Sequence, residues 1–383
     1  MKCAEKGDFT LKNYGSIYLR NDGLYCGRVQ YKGIKKQIYG HSYDAVQKKL
    51  NDIVNDLKYN NVSLNNSLLF SNYISNYLFT YKFGYLKDSS FDRLESILNC
   101  HIKKSVVDVP LYKLDDVIIQ QFLNKKALSC SVSTMKKIYD LVRSVLFYAY
   151  RRKDISVDYA DLLVLPASKK PVHSIDIYSE DEMRLMIDSF ISYSSHPLNY
   201  KEKRLFRYAM AYLLIYNTGL RASELLALTW DNVDFEKGFI YVRTSLSHTK
   251  NRDAGGKKSK DVIGSLKTDK SKRDIPLNKS ARYYLLFLRE DRNGPYVVHN
   301  MNGDFLKLRS FQQTFKRACL YAGVPYKGLH ALRHTFASCL IANDVAPKVV
   351  SDLLGHASVV FTLNRYVHSF DENVRSAVEL LEM

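Results

Sequence analysis

Acidic residues are scarce in this chain. Its 383 residues hold 39 Asp+Glu against 57 Lys+Arg, a formal net charge of +18. A polyanion is therefore the first partner to consider, with nucleic acid ahead of a membrane surface. Cysteine is sparse too: Cys3, Cys26, Cys100, Cys130, Cys319 and Cys339 are scattered, with no Cys-x-x-Cys pair. That argues against a zinc ribbon and a disulfide framework, and it suits a reducing cytosol. Long apolar runs are lacking. "YAMAYLLIY" at 208–216 is too short to span a bilayer and reads as a buried helix. The opening "MKCAEKGDFTLKN" has no apolar core of a signal peptide. These absences point to a cytoplasmic protein with no membrane partner.

What is present is globular, with 46% hydrophobic and 25% charged residues, and its length suits two or three domains. "GSIYLR", "GLYCGRVQY" and "GIKKQIYG" read as three short strands separated by hairpin signals. A helix follows in "SYDAVQKKLNDIVNDL", with Ser42 as N-cap and Ala45, Leu50, Ile53 and Val54 near helical spacing. Arg20, Arg28, Lys32, Lys35 and Lys36 on this sheet fit a DNA groove or, equally, a solvated basic face. "NNVSLNNS" at 60–67 reads as a linker, and residues 68–160 read as all-helical. The clearest helix is 131–153. Its apolar stripe is Met135, Ile138, Val142, Val145, Leu146 and Ala149, with Lys136, Lys137, Arg143, Arg151 and Arg152 elsewhere. Those basic edges suit a clamp on phosphates or an ordinary charged surface. "LPASKKPVHSID" at 165–176 reads as a second linker, after which Ser179 and Glu182 open a helix as a capping box. The expected fold class is multi-domain α+β. A small three-stranded sheet plus helix spans 1–65, an all-helical domain 66–168, and a mainly helical domain with a small antiparallel sheet 169–383.

The last part concentrates the chemistry. In "NTGLRASELLALTWDNVDF" Gly219 precedes an expected helix, and Arg221 sits in its first turn, where free backbone N–H groups favour an anion. Residues 239–277 read as strand, loop, strand, with Lys267 before a tight "TDKSK" turn and a basic loop over 250–260. "GLHALRHTFASCLIAND" places His330 and Arg333 three residues apart on one helix, with His334 next. No HExxH pattern accompanies them, so a phosphate or other oxyanion suits this set better than zinc. "PKVVSDLLGHASVVFTLNRYVH" ends one helix at Gly355, places His356 after it, and carries Tyr366 one helix further on. Each residue alone has an ordinary structural alternative. The order Arg, Lys, His-x-x-Arg, His, Tyr is a different matter.

"TGLRASELLALTW", "KTDKSKRDIPL", "LHALRHTFAS" and "LLGHASVVFTLNRYVH" resemble the signature blocks of the tyrosine recombinases, the lambda-integrase family. The upstream parts resemble the family's helical core-binding domain and the arm-binding module of phage and conjugative-transposon integrases. The resemblance implies a site-specific recombinase that integrates and excises a mobile element. Tyr366 would attack the scissile phosphate and form a 3′-phosphotyrosine. Arg221 and Arg333 would clamp the non-bridging oxygens, and His330 would exchange a proton with the nucleophile. Lys267 would protonate the leaving 5′-oxygen, and His356 would donate a further hydrogen bond. No cofactor or metal is implied. The implied partners are double-stranded DNA attachment sites (core and arm), a homo-tetramer on DNA, and an accessory excision factor. For DNA contact Arg20, Arg28, Lys35, Lys36, Lys136 and Lys137 are the candidates. Two other readings fit part of the pattern: a type IB topoisomerase-like enzyme, and an inert architectural DNA-binding protein.

Overall fold

The computed structural model describes residues 9–11, 15–31, 34–59, 68–170, 176–197, 199–252, 258–266, 269–356 and 359. The chain divides into two compact units, Met1–Val172 and His173–Met383.

The first unit begins with an antiparallel sheet in the order β1 (Phe9–Leu11), β2 (Gly15–Leu19), β3 (Tyr25–Tyr31) and β4 (Ile34–Gly40). The three expected strands are β2 to β4, and the three-residue β1 adds an edge. Helix α1 (Tyr43–Tyr59) starts at Ser42, whose Oγ accepts from the Ala45 N–H at 3.3 Å. Ala45 is exposed, and the helix instead faces the sheet with Val46 and Leu50, both fully buried with Ile17. Those residues are i and i+4, the spacing of one helical face. Gly27 on β3 lets the helix approach: a Cβ there would stand 2.5 Å from Leu50 Cδ1.

A separate core holds α2 (Phe70–Tyr81), α3 (Asp88–Ile97), α4 (Asp116–Ala127), α5 (Val132–Arg151) and α6 (Tyr159–Leu162). The whole expected stripe of α5, Met135 to Ala149, is buried, and Ser131 caps its start. Asp154, 3% exposed, accepts from Tyr73 Oη at 2.7 Å and from Arg152 Nε at 3.0 Å. That pairing makes a carboxylate tolerable in an apolar bundle.

The second unit opens with α7 (Glu180–Ser195), started by the Ser179–Glu182 capping box. It continues through α8 (Tyr200–Phe206) to α9 (Ala209–Thr218), where Ala209 to Ile215 are all buried. Helix α9 packs against α7, α11 (Lys279–Glu290) and α13 (Leu329–Ala342), which explains an apolar run without amphipathic period. The one-turn α10 (Ala222–Leu225) leads to a sheet of β5 (Val233–Asp234), β6 (Phe239–Val242) and β9 (Arg273–Pro276). A hairpin of β7 (Thr244–Lys250) and β8 (Ser259–Ser265) stands apart from it. The strand–loop–strand reading was too coarse. Lys250 and Lys260 belong to paired strands, and the connecting residues 253–257 lie outside the described residues. Helices α12 (Leu308–Tyr321) and α14 (Pro347–Leu354) complete the unit.

Candidate active site

Two helix ends build the site. Helix α9 stops at Gly219, whose left-handed φ of 63° lets its N–H return to the Ile215 carbonyl at 2.9 Å. Helix α14 stops at Gly355, φ 64°, with Gly355 N–H on Asp352 O and His356 N–H on Ser351 O, each at 3.0 Å. That is a Schellman turn, and it fixes the backbone from which His356 projects. A side chain at Gly219 would also collide with the Phe336 ring, 2.6 Å from an ideal Cβ.

Helix C-termini leave carbonyl oxygens unpaired at the negative end of the helix dipole. Guanidinium groups take up that role here. Arg333, on α13 and only 3% exposed, donates from Nη1 to the Gly219 carbonyl at 2.6 Å and from Nη2 to the Leu354 carbonyl at 2.7 Å. A single side chain thus ties both helix ends together. His330 is exposed on the same helix, and its ring meets that of the half-buried His334 edge to face at 5.6 Å. Helix α13 is itself anchored where Thr335 Oγ1 accepts from the Tyr178 N–H at 2.9 Å.

Arg221 follows the Gly219 turn. The expected helix begins there, though Arg221 is its N-cap, one residue before the first turn: α10 is a single turn, and the Arg221 N–H donates to Glu224 Oε2 at 2.9 Å. Arg221 Nη1 donates to Glu224 Oε1 at 2.6 Å, and the Arg221 side chain stays 30% exposed. Glu224, 1% exposed, also accepts from Arg273 Nη2 at 2.8 Å. Burial alone would raise the Glu224 pKa. The adjacent guanidiniums, Arg273 foremost, overcome that and hold it at about 2. Its charge is therefore fixed at any working pH.

Of the expected site residues, Arg221, Arg333 and His356 lie around the two helix ends, with His330 on the Arg333 helix. Lys267 and Tyr366 lie outside the described residues. Glu224 and Arg273 were not singled out from the sequence, yet both leave a trace in it. Glu224 stands three residues after Arg221. Arg273 shares the alternation of β9, where Arg273 and Ile275 are buried while Asp274 and Pro276 are exposed.

Among the candidates for DNA contact, Arg28 is exposed with its guanidinium 5.0 Å from the Tyr18 ring centroid. Arg20 lies 5.2 Å from the Tyr39 centroid and pairs with Asp22 at 3.0 Å. Lys35 and Lys36 occupy the register positions opposite Gln30 and Val29. Lys136 is exposed on α5, and Lys137 donates to Ser133 Oγ at 3.0 Å.

Residues 180–373 match the phage integrase family, and residues 69–127 match the phage integrase N-terminal SAM-like domain. The chain belongs to the phage integrase family. A XerC-like tyrosine recombinase of Caldanaerobacter subterraneus is 28% identical over 320 residues, 77% of this chain and 78% of the relative. A XerA tyrosine recombinase of Pyrococcus furiosus is 31% identical over 170 residues, 44% of this chain and 52% of the relative. In fold, the chain is similar to the Tn1549 transposon integrase bound to transposon right end DNA. The TM-score is 0.67 at 19% identity, covering 82% of this chain and all of that one. It is also similar to a lambda integrase tetramer bound to a Holliday junction, with TM-score 0.55 at 18% identity over 91% of this chain and 94% of that one. The α+β architecture expected from the sequence is thus that of the tyrosine recombinase integrases.

Proposed function

We propose that this chain is a site-specific DNA recombinase that cuts and rejoins DNA through a 3′-phosphotyrosine at Tyr366, integrating and excising a mobile element. The observation that carries the reading is the charge balance at the two helix ends. Arg221, Arg273 and Arg333 place three guanidiniums around one carboxylate, Glu224, and two of the three are nearly buried. A positive excess in a poorly solvated corner favours an anion, and a fixed array stabilises charge that develops in a transition state. Arg221, with its exposed portion, grips the scissile phosphate. Arg333 holds the two helix ends at that phosphate.

The phenol of Tyr366 has a reference pKa of about 10 and needs a proton acceptor. His330 takes that role, and Lys267 protonates the departing 5′-oxygen. His356, at the Schellman turn, donates a hydrogen bond to the phosphate. Attack forms the tyrosyl–phosphorus bond and breaks the bond to the 5′-oxygen. A 5′-hydroxyl of the partner duplex reverses the step, so joining needs no external energy source.

In this reading residues 1–65 bind arm sites, 66–168 the core site, and 169–383 perform the chemistry. Four copies assemble on the crossover in the cytoplasm, with an accessory excision factor as a further partner. The sheet and helix before residue 60 support a mobile-element role, because this module resembles the arm-binding part of phage and transposon integrases.

The test is a nicked duplex carrying the site that the wild-type protein footprints. The expected product is a protease-sensitive covalent DNA adduct that Tyr366→Phe does not form. A wild type that binds the site without forming an adduct would instead be an architectural DNA-binding protein.

A further inference from the structure

Arg273 is 6% exposed at the first position of β9, and it meets three separate parts of the site. Its Nη2 and Nη1 donate to Glu224 Oε2 at 2.8 Å and Oε1 at 3.3 Å. Its Nε donates to the Leu353 carbonyl at 2.6 Å, and Nη1 also reaches the Ser271 carbonyl at 3.3 Å. Gly355 presses on the same side chain: a Cβ there would lie 3.1 Å from Arg273 Cδ and 3.2 Å from Nη1. The carbonyls of Leu353 and Leu354, consecutive at the end of α14, are thus taken by Arg273 and Arg333 respectively.

Burying a guanidinium is costly unless its donors are paired, and an apolar residue of similar volume would fill the space without that cost. A charge placed here therefore has a use beyond packing. We infer that Arg273 is the positioning residue of the site: it sets the Glu224 carboxylate against Arg221 and fixes the α14 end that carries His356. Resting on the proposed phosphoryl-transfer chemistry, the inference gives Arg273 no contact with the DNA. Its planar fork addresses a carboxylate and a carbonyl at once, which a lysine ammonium cannot reproduce. It also keeps Glu224 ionised. Without it, the buried carboxyl would gain a proton as the pH falls.

The experiment is single-turnover adduct formation by the full-length protein on the nicked duplex, across a range of pH. Arg273→Met is expected to slow the adduct about 100-fold with unchanged affinity for the site, because small displacements of the gripping groups cost rates of that order. It should also acquire a new acid limb in its rate profile, which adding Glu224→Gln removes. Arg273→Lys should keep the wild-type profile but run about 10-fold slowly, the lower end of what loss of a supporting contact costs. A wild-type rate in either variant, or a slow Arg273→Met with the wild-type pH profile, overturns the inference. Where Arg273→Met does not fold, by circular dichroism, the Arg273→Lys rate decides alone. A wild type that forms no adduct contradicts the proposed function itself, a result distinct from all of these.

Discussion

Arginines serve two different ends in this molecule. Arg20 and Arg28, on the N-terminal sheet, are exposed and lie over tyrosine rings, with Asp22 as a surface partner for Arg20. Arg273 and Arg333, in the second unit, are nearly buried, and they donate to carboxylate and carbonyl oxygens. The exposed pair stays hydrated, so its charge is screened by salt and its pairing contributes little to stability. The buried pair has given up hydration in exchange for fixed hydrogen bonds, and each member spans elements distant in sequence. Net charge of +18 counts both kinds alike, but only the second can organise a reaction centre.

Removing the shared carboxylate breaks this comparison most severely. Glu224→Gln leaves buried guanidiniums without their counter-charge, and it is expected to cost about 3 kcal/mol at neutral pH. The pH dependence gives the sign. The folded-state pKa of Glu224 is lowered from the ordinary 4.5 to about 2. Its contribution is therefore complete above 4.5 and disappears as the pH falls towards about 2. Denaturant titrations of wild type and variant should converge over that window. A gap that stays constant through it would assign the cost to packing instead of charge.

At the opposite end, Arg28→Ala should change stability by less than about 0.5 kcal/mol, as surface substitutions do. If the proposed arm-site role holds, its effect falls on arm-site binding, where the slope of log affinity against log salt should fall by about one. A large loss of stability in Arg28→Ala would erase the distinction between the two sets.

The elements legible in the sequence were those set by local rules. Strands β2 to β4, the α5 stripe, the Ser179–Glu182 box and the Gly355 stop all follow from alternation, helical period or capping chemistry. The misassigned face at Ala45 shows the limit, because Val46 is favoured only once the sheet lies opposite. At Arg221 the expected helix is a single turn, with the Arg221 N–H on Glu224 Oε2 and Glu224 paired with Arg273. That contact joins residues 49 positions apart, and no periodicity reports it. The order of the site residues was readable, whereas the buried ion network that supports them came only with the fold.

The central claim is that Arg221 grips a phosphate through its negative charge. The most direct test compares adduct formation on an ordinary nicked duplex with that on one carrying a neutral methylphosphonate at the scissile position. On the ordinary duplex, Arg221→Ala is expected to slow the reaction by at least about 100-fold, as loss of one preorganised donor does. On the methylphosphonate, where there is less charge to neutralise, the same substitution should cost far less. An equal penalty on both duplexes would contradict the account, because Arg221 would then contribute something other than charge.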